Sequence, residues 1–343
     1  MSRTVAISEV QDACLKTGIR GLDHILSGGL PQGHIYLLEG DPGAGKTTAG
    51  LQFLLAGKQN RESVMYVTLS ESKAELLRIA RSHGFDISGV QLMELTSAEV
   101  LNPDGHYTVF HPSEIELAGT TKRILDEVRR IDPSRLVIDS LSELRVLARD
   151  ALRYRRQIMA LKKFFEGRKT TVLLLDDRTG ENRDEQLYSI AHGVISLEKM
   201  RREYGATRRR MEVVKLRGVR YREGFHDYHI QTGGVVIFPR LVASEHMPGF
   251  EPGVACSGVE ELDALLGGGL DRGTSTLLIG PAGCGKSTLA LRFAATACSR
   301  SEHVSIYTFE EGRNTVFARA KGLGMDLEAY LNSGMLTLEQ VNP

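Results

Sequence analysis

Hydrophobic and polar positions follow two alternating patterns along the first half of the chain. Short apolar runs predict strands over five segments: Ile35–Glu39, Val64–Leu69, Gln91–Leu95, Arg135–Asp139 and Thr170–Asp176. Apolar residues at helical spacing predict helices between them: Thr47–Gly57, Lys73–His83, Ser113–Ile131 and Ala151–Glu166. Such alternation is typical of a parallel sheet covered by helices on both faces. We therefore expect an α/β fold.

A different pattern begins after this region. Gly193–Lys199, Arg210–Leu216 and Tyr228–Phe238 have the short, polar-bounded character of antiparallel strands, and Gly233-Gly234 is a hairpin signal. The sequence therefore predicts a mainly parallel sheet flanked by helices, with antiparallel strands at its C-terminal edge.

The chain also contains an internal repeat. Residues 17–87 align without a gap on residues 257–327, and each copy contains one match to G-x-x-x-x-G-K-S/T. We predict a first domain over residues 1–240, a linker over 241–256 rich in proline, and the N-terminal part of a second domain over 257–343. The second copy stops short of the endpoint of the first, so we expect this second domain to be incomplete.

The repeated motif predicts nucleotide binding. Its glycines let backbone amides turn toward phosphates, and the helix that follows adds its positive N-terminal dipole. We expect Lys46 and Lys286 to contact the β- and γ-phosphates, and Thr47 and Ser287 to ligate Mg²⁺. The cofactors implied are ATP and Mg²⁺. The predicted ATP-binding residues are Gly40, Asp41, Pro42, Gly43, Ala44, Gly45, Lys46, Thr47 and Thr48 in the first copy, and Gly280, Pro281, Ala282, Gly283, Cys284, Gly285, Lys286, Ser287 and Thr288 in the second.

Carboxylates at strand ends are the next candidates. Asp139 ends an apolar strand in the Walker B manner, which predicts a ligand in the Mg²⁺ shell. Glu71 in the first copy and Glu310 and Glu311 in the second follow the strand after the loop helix, where a carboxylate can orient or deprotonate an attacking water. Such an acid could instead cap the next helix. Ser70 stands in the first copy where the second has Glu310.

Charge adds one local feature. The chain has 43 basic and 43 acidic residues, so its overall charge does not indicate a nucleic-acid or membrane binder. Residues 199–224, however, contain ten Lys or Arg against three Glu. This excess fits the phosphates of ATP on a neighbouring subunit, a nucleic-acid backbone, or simply a solvated hairpin. The four cysteines show no zinc or disulfide spacing, and no apolar run or signal peptide points to a membrane, so we expect a cytoplasmic protein.

Together these residues resemble the KaiC-like ATPases of the RecA superfamily. The resemblance implies tandem RecA-like P-loop domains in stacked hexameric rings, with ATP between neighbouring subunits, ATP hydrolysis and Ser/Thr autophosphorylation in the second domain. It also implies that Lys215 and Arg217 reach the γ-phosphate on the adjacent protomer. The segments that carry it are residues 17–23, the loop at 40–48, residues 80–86, residues 137–140 and, most specifically, residues 212–218.

Three functions follow from this sequence. The first is a slow, ring-forming ATPase of clock or signalling type, with self-association and regulatory proteins as partners. The second is a nucleotide-gated scaffold with little turnover, which Ser70 motivates. The third is a DNA-dependent ATPase of recombinase or helicase type, which the Arg cluster motivates and the balanced charge disfavours.

Overall fold

The computed structural model describes residues 14–95, 112–148, 150–178, 185–201, 207–242 and 252–341. These residues form two compact units, one extending to Arg240 and the other beginning at Leu241. Most of the predicted linker lies outside the described residues, so the exact domain boundaries stay a prediction.

The first unit alternates strands and helices as its hydrophobic pattern predicts. Its helices are α1 (Leu22–Ile25), α2 (Lys46–Gln59), α3 (Lys73–Ser82), α4 (Pro112–Ile131), α5 (Leu141–Ala148), α6 (Ala151–Phe165) and α7 (Glu185–Ile190). Its strands are β1 (Cys14–Leu15), β2 (Leu30–Pro31), β3 (Ile35–Gly40), β4 (Val64–Thr68), β5 (Gln91–Glu94), β6 (Arg135–Asp139), β7 (Thr171–Asp177), β8 (Gly193–Met200), β9 (Arg208–Leu216), β10 (His226–Gln231) and β11 (Gly234–Phe238).

Nine of these strands form one sheet in the order β11-β10-β9-β8-β3-β7-β6-β4-β5. Neighbouring strands from β8 to β5 are parallel, whereas β9, β10 and β11 join by antiparallel pairing. The prediction for Gly193–Lys199 is therefore wrong in part. This strand lies parallel to β3 and is antiparallel only to β9, because α7 carries the chain back across the sheet before it starts.

Each face of the sheet has its own hydrophobic core. Helices α2 and α3 pack on one face, where Leu51 and Leu76 join Tyr36 and Leu38 of β3. Helices α4 to α7 pack on the other face, where they cover Leu37 of β3 and neighbouring residues. Successive residues of β3 thus enter opposite cores, as the alternation of side chains along a strand requires. The P-loop helix α2 and helix α7 therefore lie on opposite faces.

A fully buried arginine links three separate segments of this unit through hydrogen bonds. The Arg135 side chain has no exposed surface and donates to both carboxylate oxygens of Glu62, at 2.5 and 3.0 Å, and to the carbonyls of Lys16 and Phe53. Its guanidinium also lies 4.9 Å from the ring centre of Phe53. The cost of burying the charge is offset by these contacts, because a buried ion is tolerated when it is paired and hydrogen-bonded.

The second unit repeats the beginning of the first. Its elements are β12 (Val254–Ala255), α8 (Glu260–Leu265), β13 (Leu270–Asp271), α9 (Lys286–Ser299), β14 (Val304–Thr308), α10 (Arg313–Gly322), α11 (Leu327–Asn332) and β15 (Leu336–Gln340). β12 pairs antiparallel with β13, as β1 pairs with β2. β14 pairs in parallel with β15, as β4 does with β5.

The apolar segment before the second loop is uncovered among the described residues. Leu277 and Ile279 are 78% and 84% exposed, whereas Leu37 of the corresponding β3 is buried between β7 and β8. The segment is not assigned as a strand.

The helices of the described segments include none that is both long enough and apolar enough to span a lipid bilayer.

Candidate nucleotide-binding site

The first phosphate loop connects β3 to α2 at the carboxyl end of the parallel strands. Gly43 and Gly45 adopt φ angles of 74° and 97°, values that residues other than glycine rarely adopt. A β-carbon at Gly45 would lie 2.7 Å from Ile230 of β10, and the Tyr228 hydroxyl of the same strand donates to the Ala44 carbonyl at 2.7 Å. The loop is therefore held in its curved form by β10, a strand far from it in sequence.

Lys46 is buried at the start of α2. Its ammonium donates to the Gly40 and Asp41 carbonyls at 2.8 and 3.0 Å and pairs with the Asp177 carboxylate at 2.8 Å. The ammonium thus spans the mouth of the loop, where the phosphates of a nucleotide would lie. Asp177, at the end of β7, is positioned to compete with those phosphates for Lys46.

The side chains of Thr47 and Tyr66 meet at one carboxylate oxygen of Asp139. Asp139 Oδ2 accepts hydrogen bonds from the Thr47 hydroxyl at 2.9 Å and from the Tyr66 hydroxyl at 2.6 Å. Burial raises the pKa of Asp139, and the two hydroxyls oppose that rise. Burial and the nearby Asp139 charge raise the pKa of Tyr66, so its hydroxyl stays protonated and acts as a donor. The predicted magnesium ligands Thr47 and Asp139 are therefore adjacent.

Glu71 lies beside this group and has an unusual environment. Its Oε2 is buried and has no hydrogen-bond partner among the described residues. Burial raises the pKa of its carboxyl, and the charges of Asp139, Glu75 and Asp177 raise it further. Helix α3 is capped by Ser72 and Glu75 instead. Capping therefore does not explain Glu71, whereas a raised pKa is expected of a group that accepts a proton from water.

Lys215 and Arg217 lie at the other end of the sheet. Lys215 donates to the carbonyls of Tyr188 and Ala191 at the end of α7, and Arg217 donates to the Ser189 carbonyl at 3.0 Å. Burial lowers the pKa of Lys215, and the charge of Arg217 contributes. Both side chains thus lie on the α7 face, the face opposite to α2. Through β8, Lys215 is level with Leu37 of β3, roughly 10 Å along the strand from Gly40, and Arg217 lies beyond the end of β9, farther still from the loop.

The Arg-rich hairpin proves to be partly neutralised. Arg208 forms a two-pronged pair with Asp227 at 2.6 and 2.9 Å. Arg210 pairs with Glu198 at 2.6 Å, and the same carboxylate accepts from Arg178 at 3.0 Å. These pairs occupy two of the ten basic side chains in the stretch and weaken the case for a nucleic-acid surface in this hairpin. Part of the predicted basic stretch, residues 202–206, lies outside the described residues.

The second loop has the same backbone form. Gly283 and Gly285 have φ angles of 81° and 93°, and Lys286 donates to the Gly280 and Pro281 carbonyls, both at 2.8 Å. Unlike Gly45, Gly285 has open space where a β-carbon would lie. The two loops therefore share their local structure, and only the first is packed against a surrounding sheet in the described residues.

Comparison with known proteins decides the family. The family model described as "ATPase: KaiC" matches residues 15–242 and 255–343. The chain belongs to the KaiC ATPase family. The predicted RecA-like P-loop fold with a mostly parallel sheet is thereby confirmed.

Individual relatives give the same result. The circadian clock oscillator protein KaiC of Parathermosynechococcus lividus is 30% identical over 332 residues, which cover 94% of this chain and 60% of the relative. The protein of the same name from a Picosynechococcus species is 30% identical over 346 residues, covering 98% and 65%. The circadian clock protein KaiC2 of Synechocystis is 29% identical over 336 residues, covering 95% and 58%. The chain thus spans about three fifths of the length of these curated relatives.

The residues around Thr47 fit the magnesium–nucleotide complex that a KaiC-family P-loop implies. The Thr47 hydroxyl and the Asp139 carboxylate are oxygen donors 2.9 Å apart, and Mg²⁺ in nucleotide sites is held by one or two such protein groups together with water and phosphates. In the described parts of the chain no cluster of three or more His, Cys, Asp or Glu residues could hold a metal. In nucleotide sites of this kind, phosphates and water would complete the shell.

The two copies of this KaiC-family module differ at their glutamates. Glu311 is held by Arg319 through hydrogen bonds of 2.6 and 2.8 Å, and Glu310 is exposed. The residue of the first copy that corresponds to Arg319 is Ile79, so Glu71 lacks that partner. The first copy therefore has one glutamate in place of two, and this glutamate is free of the ion pair seen in the second.

Three residues of the site were not predicted from the sequence: Tyr66, Asp177 and Tyr228. Asp177 ends an apolar strand next to β6, so the rule that selected Asp139 could also have selected it. Tyr66 occupies the position of Ile306 in the second copy, a polar difference inside a buried strand that could have drawn attention. We find no sequence signal for Tyr228.

Proposed function

We propose that this chain binds ATP with Mg²⁺ at its first P-loop and hydrolyses it slowly, in ring assemblies where each nucleotide lies between two copies. The observation that carries the proposal is the separation of the charged groups. Lys46, Thr47, Asp139 and Glu71 meet at the carboxyl end of the sheet, and Lys215 lies at the opposite end on the opposite face.

Within one copy, the site residues divide the work. The loop amides and Lys46 hold the phosphates, and Thr47 and Asp139 hold the metal. Bound Mg²⁺ supplies charge neutralisation at the phosphates. Glu71 accepts a proton from the attacking water, and its raised pKa suits this role. The ammonium of Lys46 exchanges Asp177 for phosphate when nucleotide binds.

Between copies, Lys215 and Arg217 supply the remaining charge. Neither can reach the loop of its own chain, because α2 and α7 lie on opposite faces of the sheet. A head-to-tail arrangement of copies would bring them to the next loop, and head-to-tail contacts that close generate rings. Cations added in this way stabilise the charge that develops during phosphoryl transfer.

The circadian-clock relatives support a wider form of this proposal. We propose a clock-type or signalling role in which ATP binding assembles the ring and slow turnover changes its state. Hexameric stoichiometry, Ser/Thr autophosphorylation by the second domain, regulatory protein partners and a cytoplasmic location belong to the same proposal. Lys286, Ser287 and Glu311 would serve the second site, and Glu310 would assist them.

A nucleotide-gated scaffold with little turnover is the second candidate. Ser70 favours it, because this exposed hydroxyl occupies the position of Glu310 and leaves Glu71 as the single glutamate of the first site. The variant Ser70→Glu tests it. A severalfold rise in hydrolysis would support the scaffold, and an unchanged rate would count against it. Stimulation by single-stranded DNA would instead favour the DNA-dependent ATPase, which the paired Arg208 and Arg210 disfavour.

The leading proposal is tested by mixing two variants that are defective in different halves of the site. Glu71→Gln disables the loop side and keeps Lys215 intact, whereas Lys215→Ala does the reverse. Each alone should assemble with ATP and Mg²⁺ on size exclusion and hydrolyse poorly. An equal mixture should recover about a quarter of wild-type turnover, since random head-to-tail neighbours combine two intact halves at that frequency.

Several outcomes would contradict the proposal. A wild-type chain that stays monomeric at saturating ATP excludes ring assembly. A mixture no more active than its components excludes action between copies. The loop variants Lys46→Ala and Lys286→Ala, compared for nucleotide binding, show which of the two loops is used.

A further inference from the structure

His192 is hydrogen-bonded to both the amide and the carbonyl of Arg217. The Arg217 amide donates to the His192 carbonyl at 3.1 Å, and the His192 ring Nε2 lies 3.0 Å from the Arg217 carbonyl. Because a carbonyl oxygen can only accept, Nε2 carries the proton and donates. The two residues therefore exchange two hydrogen bonds, one from the main chain and one from the imidazole.

The imidazole is itself held in one orientation by β3. Its face stacks on His34 with ring centres 3.8 Å apart and planes 2° from parallel. The Tyr36 ring meets it nearly edge-on at 5.8 Å, and the His192 amide donates to the Ile35 carbonyl at 2.8 Å. Since β3 also carries the P-loop at its other end, His192 links the strand of the P-loop to Arg217.

Packing alone would not fix Arg217. Strand β9 ends at Leu216, so Arg217 is the first residue beyond its regular pairing. An open pocket of about 270 Å³ lies beside it, bordered by His34, Lys162 and His192, and Arg217 itself is exposed to solvent. An exposed side chain lacks many of the contacts that hold a packed one. The hydrogen bonds from His192 and to Ser189 must then supply the constraint.

We propose that His192 is a positioning residue for Arg217, and that its Nε2 proton holds the arginine where it can act on the nucleotide of the neighbouring copy. The inference rests on the proposed function, in which Arg217 acts between copies. A supporting shell of this kind matters because a displacement of about 1 Å at a reacting group can cost roughly 100-fold in rate.

The charge state of the ring agrees with this role. Burial lowers the pKa of His192, and the neighbouring His34, Arg217 and Lys215 lower it further, whereas the hydrogen bond to the Arg217 carbonyl opposes this shift. The net shift favours the neutral ring, which keeps a single donor. A second proton would place another positive charge against Arg217 and Lys215.

The test compares His192→Leu, which removes the donor, with His192→Gln, whose side-chain amide can restore it. Steady-state hydrolysis, nucleotide binding and ATP-dependent assembly are measured for each. We expect His192→Leu to bind ATP and assemble like wild type while kcat falls about 10- to 100-fold. We expect His192→Gln to recover most of kcat. Mixing His192→Leu with Glu71→Gln should restore about a quarter of wild-type turnover, because intact Arg217 then comes from the second variant.

Each result decides a different question. Unchanged kcat in an assembled His192→Leu variant overturns the inference, as does a His192→Gln variant that is equally impaired. A His192→Leu defect that mixing does not repair shows damage within its own copy and also overturns it. Wild-type protein that neither assembles nor hydrolyses ATP refutes the proposed function instead, a failure visible before any variant is compared.

Discussion

Removing the hydroxyl of the buried tyrosine beside Asp139 should lower both the stability of the fold and the affinity of the site for Mg²⁺. Tyr66 is fully buried and donates to Asp139 Oδ2 at 2.6 Å. In the variant Tyr66→Phe that oxygen keeps only the Thr47 hydroxyl as a described donor, at 2.9 Å. Tyr36→Phe is a matched control. Tyr36 is equally buried in the same sheet, but its hydroxyl donates to the neutral Pro31 carbonyl at 2.7 Å.

The size of the effect follows from the acceptor. A hydrogen bond to a charged group contributes about 1.5–3 kcal/mol to stability, against about 0.5–1.5 kcal/mol for a neutral one. With a urea slope of roughly 2 kcal/mol per molar, Tyr66→Phe should lower the unfolding midpoint by about 0.75–1.5 M and Tyr36→Phe by about 0.25–0.75 M. Far-ultraviolet circular dichroism in mildly alkaline buffer, which favours the ionised form of Asp139, measures both.

Function should separate the two variants more sharply. Tyr66 orients the carboxylate that is proposed to hold the metal, and loss of such an orienting partner typically weakens metal affinity about 10- to 100-fold. When ATP binding is titrated with Mg²⁺, Tyr66→Phe should therefore need a higher Mg²⁺ concentration than wild type to reach half of its maximal effect. Tyr36→Phe should need the same Mg²⁺ concentration as wild type. The reasoning is refuted if the two variants lose equal stability, or if Tyr66→Phe keeps the wild-type response to Mg²⁺.

Folding raises the pKa of Glu71, so protonated Glu71 stabilises the folded state fully below the ordinary carboxyl range, and this stabilisation is lost as the pH rises through the pKa of the folded state. Glu71→Gln should therefore unfold at a higher urea concentration than wild type at neutral pH. The difference should close in acid. Replacing Arg135 with Met leaves the partly buried Glu62 carboxylate unpaired and should cost about 3–5 kcal/mol of unfolding free energy, which an additional Glu62→Leu change should partly restore if the lost pairing is the cause. Gly45→Ala places a β-carbon 2.7 Å from a side chain of β10 and should weaken nucleotide binding at the first loop. Gly285 has a similar φ but open space around it, so Gly285→Ala should weaken nucleotide binding at the second loop less. Equal losses of binding would show that backbone strain alone, and not the contact with β10, causes the loss.

Much of the fold could be predicted because its signals are local. Most of the order of strands and helices follows from the spacing of apolar residues, and the predicted boundaries differ from the observed ones by at most two residues, but the short helices α1, α5 and α7 were not predicted. The direction of β8 could not be predicted. Its pattern of short, polar-bounded strands is shared with β9 and β10, and the parallel pairing with β3 depends on a crossover through α7 that leaves no mark in the strand itself.

The candidate site divides in the same way. The loop at 40–47 was predictable as a unit, since its glycines, lysine and threonine are contiguous and the backbone between them does the binding. Glu71 was predicted from its place after a strand, but its environment was not. The raised pKa arises from burial and from the charges of Asp139, Glu75 and Asp177, and Asp139 and Asp177 approach Glu71 only when β4, β6 and β7 align side by side.

By itself the sequence determined that this chain carries two phosphate loops in a duplicated α/β module, because that information lies in consecutive residues and in a repeat of fixed register. Tertiary structure alone decided which side chains share the first site. Thr47 and Asp139 are 92 residues apart along the chain and 2.9 Å apart in space, since parallel strands bring their carboxyl ends to one edge. It also decided that Lys215 and Arg217 face away from their own loop. A strand in a sheet covered on both sides must direct each side chain to one face or the other, and pairing with β8 directs Lys215 to the face of α7.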